Sequence, residues 1–121
     1  MTLERLPYDL TVCKVASPAV IDWNADVYFV GKTEDELSLV CRTEETPPET
    51  CAREDGWKAF RVRGTLDFSL TGVLSKLSGI LAENGIGLFA VSTYNTDYIL
   101  VKSGDFDRAM AALAEQGYEV L

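Results

Sequence analysis

The clearest pattern of apolar and polar positions lies between residues 70 and 86, LTGVLSKLSGILAENGI. Leu70, Val73, Leu74, Leu77, Ile80 and Leu81 recur at the i, i+3, i+4, i+7 spacing of one helix face. Ser75, Lys76, Ser78 and Glu83 fall on the opposite face, where they can stay hydrated. Asn84-Gly85 ends the helix, because glycine enters the left-handed region without a Cβ clash. Ile86 then opens an apolar run to Val91 that reads as a strand in a central position.

The remaining pattern alternates with strand period. Residues 8–15 (YDLTVCKV), 26–31 (DVYFVG), 37–42 and 57–63 (WKAFRVR) each predict a strand, and so do 97–102 and 118–121. Ser17-Pro18 predicts a short helix to Trp23, with Ser17 as N-cap and proline at the first helical position. The charged segment 32–36 predicts a hairpin turn. Residues 43–49 (TEETPPE) suit neither helix nor strand, because prolines and carboxylates crowd them, and a short strand near 50–54 can follow. A second helix opens at Ser103-Gly104-Asp105. It has Phe106, Met110 and Leu113 as its core stripe, Ala109 and Ala114 as its margin, and Gly117 as its end.

Asp55-Gly56 reads as a turn and a boundary. Residues 57–121 then follow the order β-α-β-β-α-β, the ferredoxin-like arrangement of two helices on one face of a four-stranded antiparallel sheet. The expected fold class is α+β. It consists of a ferredoxin-like unit at 57–121 packed with a reduced unit of similar order at 1–56, whose second helix is replaced by the 43–49 loop. The bare sheet face of the one and the missing long helix of the other imply that neither folds alone.

Composition narrows the function. The 121 residues suit one compact domain or two very small ones, and 47% are hydrophobic, enough for a core. The net charge of −8 argues against nucleic acid, whose phosphates need a basic face. Residues 1–56 carry 12 acidic and 5 basic groups; residues 57–121 carry 7 and 6, so the excess lies in the first half. No apolar run reaches the length of a membrane span, and the first residues lack the order of a signal peptide, so the expected location is the cytoplasm. Cys13, Cys41 and Cys51 match no metal or redox spacing and are expected as free thiols. With no histidine, the commonest general base and transition-metal ligand are missing. The chain shows neither the phosphate loop of acylphosphatases nor the CxxC of heavy-metal modules. Catalysis has no support in the pattern, and no cofactor is expected.

Candidate chemistry gathers at the front of the 70–83 helix. Ser69, Thr71 and Gly72 form a polar turn where unpaired N–H groups and the helix dipole can hold a small anion such as a carboxylate. The same residues can simply cap the helix.

This stretch resembles the ACT domains, ferredoxin-like modules that bind amino acids and regulate metabolic enzymes. Gly72, the helix VLSKLSGILAE and the closing Asn84-Gly85-Ile86 follow the ACT pattern, with Thr71 where proline is usual. FSLTG together with STYNTDYILV is similar to the branch of tandem ACT proteins that includes the CASTOR arginine sensors and aspartokinase regulatory domains. The resemblance implies a non-catalytic regulatory module binding a small amino acid or related ligand, pairing as a homodimer and acting on a metabolic enzyme. The alternative is a ligand-free dimerisation or docking module. The ligand-binding residues it implies are Asp67, Phe68, Ser69, Leu70, Thr71, Gly72, Val73, Asn84, Ile86, Thr96 and Asp97. Asp67 and Asp97 are candidate partners of a ligand ammonium, and either can instead bond its own backbone. Thr93 and Thr96 can bond a ligand or close their turn. Trp57, Phe68, Phe89, Tyr94 and Tyr98 can line a pocket or pack the core. Valine at position 72 is expected to obstruct a ligand while leaving stability about level, since its helix propensity is no worse than glycine's.

Overall fold

The structure, a computed structural model, describes residues 1–67 and 71–121. They divide into two compact units, Met1–Pro7 with Lys58–Leu121, and Tyr8–Trp57. The first seven residues thus belong with the last sixty-odd and not with those that follow them.

In the larger unit, the strand read at 57–63 is the end of β5 (Ala52–Val62). It is followed by α1 (Val73–Glu83), β6 (Phe89–Ser92), β7 (Asp97–Lys102), α2 (Phe106–Glu115) and β8 (Glu119–Val120). This is the expected β-α-β-β-α-β order. The sequence reading assigned no element to the first residues, but β1 (Thr2–Arg5) enters the sheet between β5 and β8. It pairs antiparallel with β5, placing Leu3 opposite Val62, and parallel with β8. The strand order is therefore β8-β1-β5-β7-β6, five strands rather than four. β1 escaped notice because TLER has one apolar residue, too few to show alternation. That residue, Leu3, is fully buried. Glu4 and Arg61 face each other on β1 and β5 and bond at 2.9 Å, a half-exposed pair worth at most about 1 kcal/mol.

Both helices turn their apolar faces onto one core. α1 buries Leu77, Ile80 and Leu81, and α2 buries Phe106, Ala109, Met110, Ala112 and Leu113. These meet Phe60 and Val62 of β5 and Ile99 and Val101 of β7. Ala112, not Ala114, is the buried margin of α2. β6 begins at Phe89, later than the apolar run suggested. Ile86 is buried in the core before the strand starts, which accounts for the early apolar signal.

The smaller unit holds β2 (Leu10–Lys14), a 3-10 turn at Pro18–Val20, β3 (Tyr28–Lys32), β4 (Leu37–Arg42), a second 3-10 turn at Thr43–Glu45, and the start of β5. Ser17 caps the first turn by accepting from the Ala19 N–H at 3.1 Å, as read, but the turn ends after three residues. The strand order is β3-β4-β2-β5, all antiparallel. Asp55-Gly56 does not reverse the chain. Between Leu10 and Val12 of β2, the partner on β5 steps from Trp57 to Glu54, one residue more than on β2. Gly56 takes φ +83° there, so the pair read as a turn forms a bulge within a continuous strand.

The two units share an element order. Each runs strand, helical segment, strand, strand, helical segment, strand, and apart from β1 the sheets have the same strand sequence. The correspondence extends to the residue. β4 and β7 are six-residue strands beginning at 37 and 97, each followed at once by a 3-10 turn. The turns before them match too: the Thr33 N–H donates to the Glu36 carbonyl at 2.9 Å, and the Thr93 N–H to the Thr96 carbonyl at 2.8 Å.

Cys13 and Cys41 are buried in the small core of Tyr8–Trp57, whereas Cys51 is exposed. Burial, with the neighbouring Cys41, pushes the Cys13 thiol up to about 11. Above pH 9 the unfolded chain releases this proton while the folded chain keeps it. Stability should therefore fall as pH rises from about 9 to about 11. Urea titrations at pH 8 and pH 10.5 check this; an unchanged or rising midpoint would contradict the burial of an unionised thiol. In the folded protein only Cys51 should react promptly with a thiol reagent, with the other two appearing on unfolding.

Candidate functional site

The loop leaving β5 and the turn between β6 and β7 are tied together. The Leu66 N–H donates to the Asn95 carbonyl at 2.7 Å, and the buried Thr96 hydroxyl donates to the Val62 carbonyl at 2.6 Å. Between loop and turn lies a hollow of about 300 Å³. Its walls are Leu66 and Asp67, the first turn of α1 from Gly72 to Ser75, and the turn Ser92–Asp97.

The helix wall follows from Gly72. It is the N-cap of α1 in the left-handed region, φ +77°, with no side chain to cap the helix. The first intrahelical bond runs from the Lys76 N–H to the Gly72 carbonyl, so the N–H groups of Val73, Leu74 and Ser75 have no acceptor inside the helix. The dipole adds partial positive charge at this end. Opposite stands Asp97, the first residue of β7. Its Oδ1 accepts from the Ser92 hydroxyl at 2.7 Å, which fixes the carboxylate, and Oδ2 has no partner among the described residues. Asp67 brings a second carboxylate, and no lysine or arginine is among the described lining residues. One wall is thus suited to a negative group and the other to a positive one.

The structure brings together much of the set read from sequence. Asp67, Gly72, Val73, Thr96 and Asp97 all line the hollow. Phe68, Ser69 and Leu70 lie outside the described residues. Thr71 faces a neighbouring hollow of about 230 Å³ with Gly72, Lys76 and Tyr118, where the Lys76 ammonium lies 5.5 Å from the Tyr118 ring centre. Asn84 and Ile86 are not brought to either hollow; they sit at the far end of α1. Asn84 is its C-cap and donates to the Ile80 carbonyl at 2.8 Å, while Ile86 is core. Both threonines of the turn are already engaged: Thr96 with Val62, and Thr93 by donating to the Thr96 carbonyl at 3.0 Å. They shape the site rather than offer hydroxyls. Of the aromatic candidates, Tyr94 alone among the described residues lines the hollow, 79% exposed at its rim. Ser92, which orients Asp97, was missed by the sequence reading; its only signal was being the strand-end partner of Asp97 across a four-residue turn.

Gly72 corrects the expectation for a side chain at that position. No atom of the described residues lies within 4 Å of a Cβ built there. The constraint is the positive φ, which disfavours a β-branched residue whatever its helix propensity.

Comparison with known proteins agrees with this geometry. The family model for the ACT domain matches residues 52–115. A crystal structure of an Agobacterium tumefaciens protein is similar over 99% of this chain and 91% of its own, with 31% identity and a TM-score of 0.87. The chain belongs to the ACT domain family. As such it is a regulatory-type module of ferredoxin-like fold. A Vibrio cholerae protein of unknown function, named as a possible transport protein, shares the fold at 22% identity and TM-score 0.70, over 94% of this chain and 88% of that one. The aspartate kinase of Clostridium acetobutylicum shares it at 12% identity and TM-score 0.66, over 93% of this ACT chain and 33% of the kinase. No curated protein matches the chain. No helix among the described residues is long and apolar enough to cross a membrane.

Proposed function

We propose that this ACT protein is a non-catalytic module of tandem ACT design that binds a small free amino acid in the hollow between Gly72 and Asp97. The observation that carries the reading is the opposition of two walls. N–H groups at the start of α1 that have no acceptor within the helix line the same hollow of about 300 Å³ as a fixed carboxylate, the low end of the size range of small-molecule sites. A zwitterion satisfies both walls at once, its carboxylate on the helix and its ammonium on Asp97. The element order shared by the two units supports the tandem part of the reading.

A thermal-shift series with the twenty amino acids tests it, because a ligand that binds only the native state raises the melting temperature. One or a few amino acids should raise it; a flat series would leave the docking module as the better reading.

A homodimer belongs to the same proposal. Among the described residues β6 pairs with β7 and lies at an end of the sheet, an edge that two-fold pairing can cover. Light scattering at micromolar concentration should give twice the 13.3 kDa chain mass, and the bare monomer would remove dimerisation from the account.

A further inference from the structure

We propose that the end strand β3 and the exposed Trp23 beside it form a docking surface for an extended, cationic segment of a partner protein. Val20 and Trp23 are the exposed large hydrophobic side chains of Tyr8–Trp57, at 40% and 53%. Trp23 is held in place at the surface. Its indole N–H donates to the Pro18 carbonyl at 3.3 Å, and its ring meets the Tyr28 ring in a T-shape at 5.9 Å. The Tyr28 hydroxyl in turn donates to the Trp23 carbonyl at 2.9 Å. A tryptophan fixed before a partner arrives loses little side-chain freedom on binding, which is the character of an interface anchor. Tyr28 opens β3, which among the described residues pairs with β4 and lies at an end of the sheet. Residues 28–31 carry neither charge nor proline, the usual guards against a further strand, and Lys32 comes only at the strand's end.

Charge selects the occupant. Tyr8–Trp57 holds 11 acidic and 4 basic residues, and two of those four, Arg42 and Arg53, already bond Glu45 at 2.6 Å and Asp55 at 2.8 Å. From residue 16 to residue 31 the chain has no cation, and its charges are Asp22 and Asp26, on either side of Trp23 in the sequence. Both are exposed. Asp22 accepts from the Asn24 N–H at 3.0 Å, and Asp26 approaches Arg42 only to 3.9 Å, with its side chain 91% exposed. A second copy of this surface would set like charge against like charge. A cationic segment is drawn in by the field of the whole unit, and its guanidinium or ammonium can rest on the face of the indole, the best aromatic partner of a cation. A strand added to β3 turns alternate side chains to one face, so basic and apolar residues should alternate along the segment.

The probe is a short, fluorescently labelled peptide of alternating arginine and valine, titrated with the full chain at near-physiological salt and followed by anisotropy. It should bind saturably, and the same peptide with glutamate in place of arginine should not. Trp23→Ala should weaken binding about tenfold or more, and Trp23→Phe, which keeps an aromatic face, should lose less. Trp23 is more than half exposed, so both variants should melt near wild type. Asp22→Asn/Asp26→Asn should also weaken binding, and provides the same test if Trp23→Ala does not fold. Backbone amide exchange in β3 should slow in the complex, which attraction between charges alone does not produce. The proposal is overturned if the arginine peptide does not bind saturably, if Trp23→Ala binds it as well as wild type, or if exchange in β3 is unchanged. It is overturned equally if the chain self-associates through Trp23 and binds no peptide, which would assign the surface to a second copy. The hollow between Gly72 and Asp97 plays no part in these measurements.

Discussion

Removing Met1–Pro7 should abolish cooperative folding of the unit built on Lys58–Leu121. β1 separates β5 from β8, so its loss leaves β8 with no strand partner and exposes one edge of β5. Backbone bonds lost with it include those from the Leu121 N–H to the Leu3 carbonyl at 2.8 Å and from the Arg63 N–H to the Thr2 carbonyl at 2.9 Å. The graded form of the test is Leu3→Ala. Leu3 is fully buried against Val62 and the helices, so the change removes a core side chain and leaves a cavity. A cost of about 3 kcal/mol is expected, within the usual range for a buried leucine. Urea unfolding should show a lower midpoint with an unchanged slope. A fragment of residues 57–121 that folds cooperatively with full stability would show that β1 is an ornament of the sheet.

The second large effect is at Gly72. Gly72→Val should destabilise the protein by about 1–3 kcal/mol, because a β-branched residue is forced to φ +77° or the first turn of α1 must rearrange. Gly72→Asn should cost clearly less, since asparagine tolerates the left-handed region and no atom of the described residues lies within 4 Å of the new Cβ. Thermal melts of the two variants decide it. Equal losses would mean that crowding and not backbone conformation limits the position. Because Gly72 sets where the N–H groups of Val73, Leu74 and Ser75 lie at the start of α1, Gly72→Val should also weaken amino-acid binding beyond its effect on stability.

Much of this was legible in the sequence for identifiable reasons. The 3.6-residue period of α1 and the Phe106, Met110, Leu113 stripe of α2 state their buried faces directly. β7 was found at its observed bounds, because hydrophobic alternation and the preceding turn agree. β1 was not legible, since a four-residue strand with one apolar side chain has no period. Asp55-Gly56 misled because the same dipeptide serves tight turns and bulges, and only the pairing partner on β2 distinguishes them. In the site, Asp97 and Gly72 could be named from motif and turn chemistry. That Thr93 and Thr96 spend their hydroxyls on the backbone could not, because their acceptors are fixed by tertiary geometry. Asn84 and Ile86 entered through the family pattern, in which they follow the helix; eleven helical residues place them at the end away from Gly72.

The central claim is that a ligand ammonium rests on Asp97 while its carboxylate rests on the start of α1. The most direct measurement is calorimetric titration of wild type and Asp97→Asn with whichever amino acid raises the melting temperature. Asparagine keeps the acceptor from the Ser92 hydroxyl and the start of β7 but removes the charge. Losing a charge-assisted bond should weaken binding by about 10–100-fold, corresponding to about 1.5–3 kcal/mol, with stability near wild type. Equal affinity in the two proteins would place the ammonium elsewhere and contradict the account.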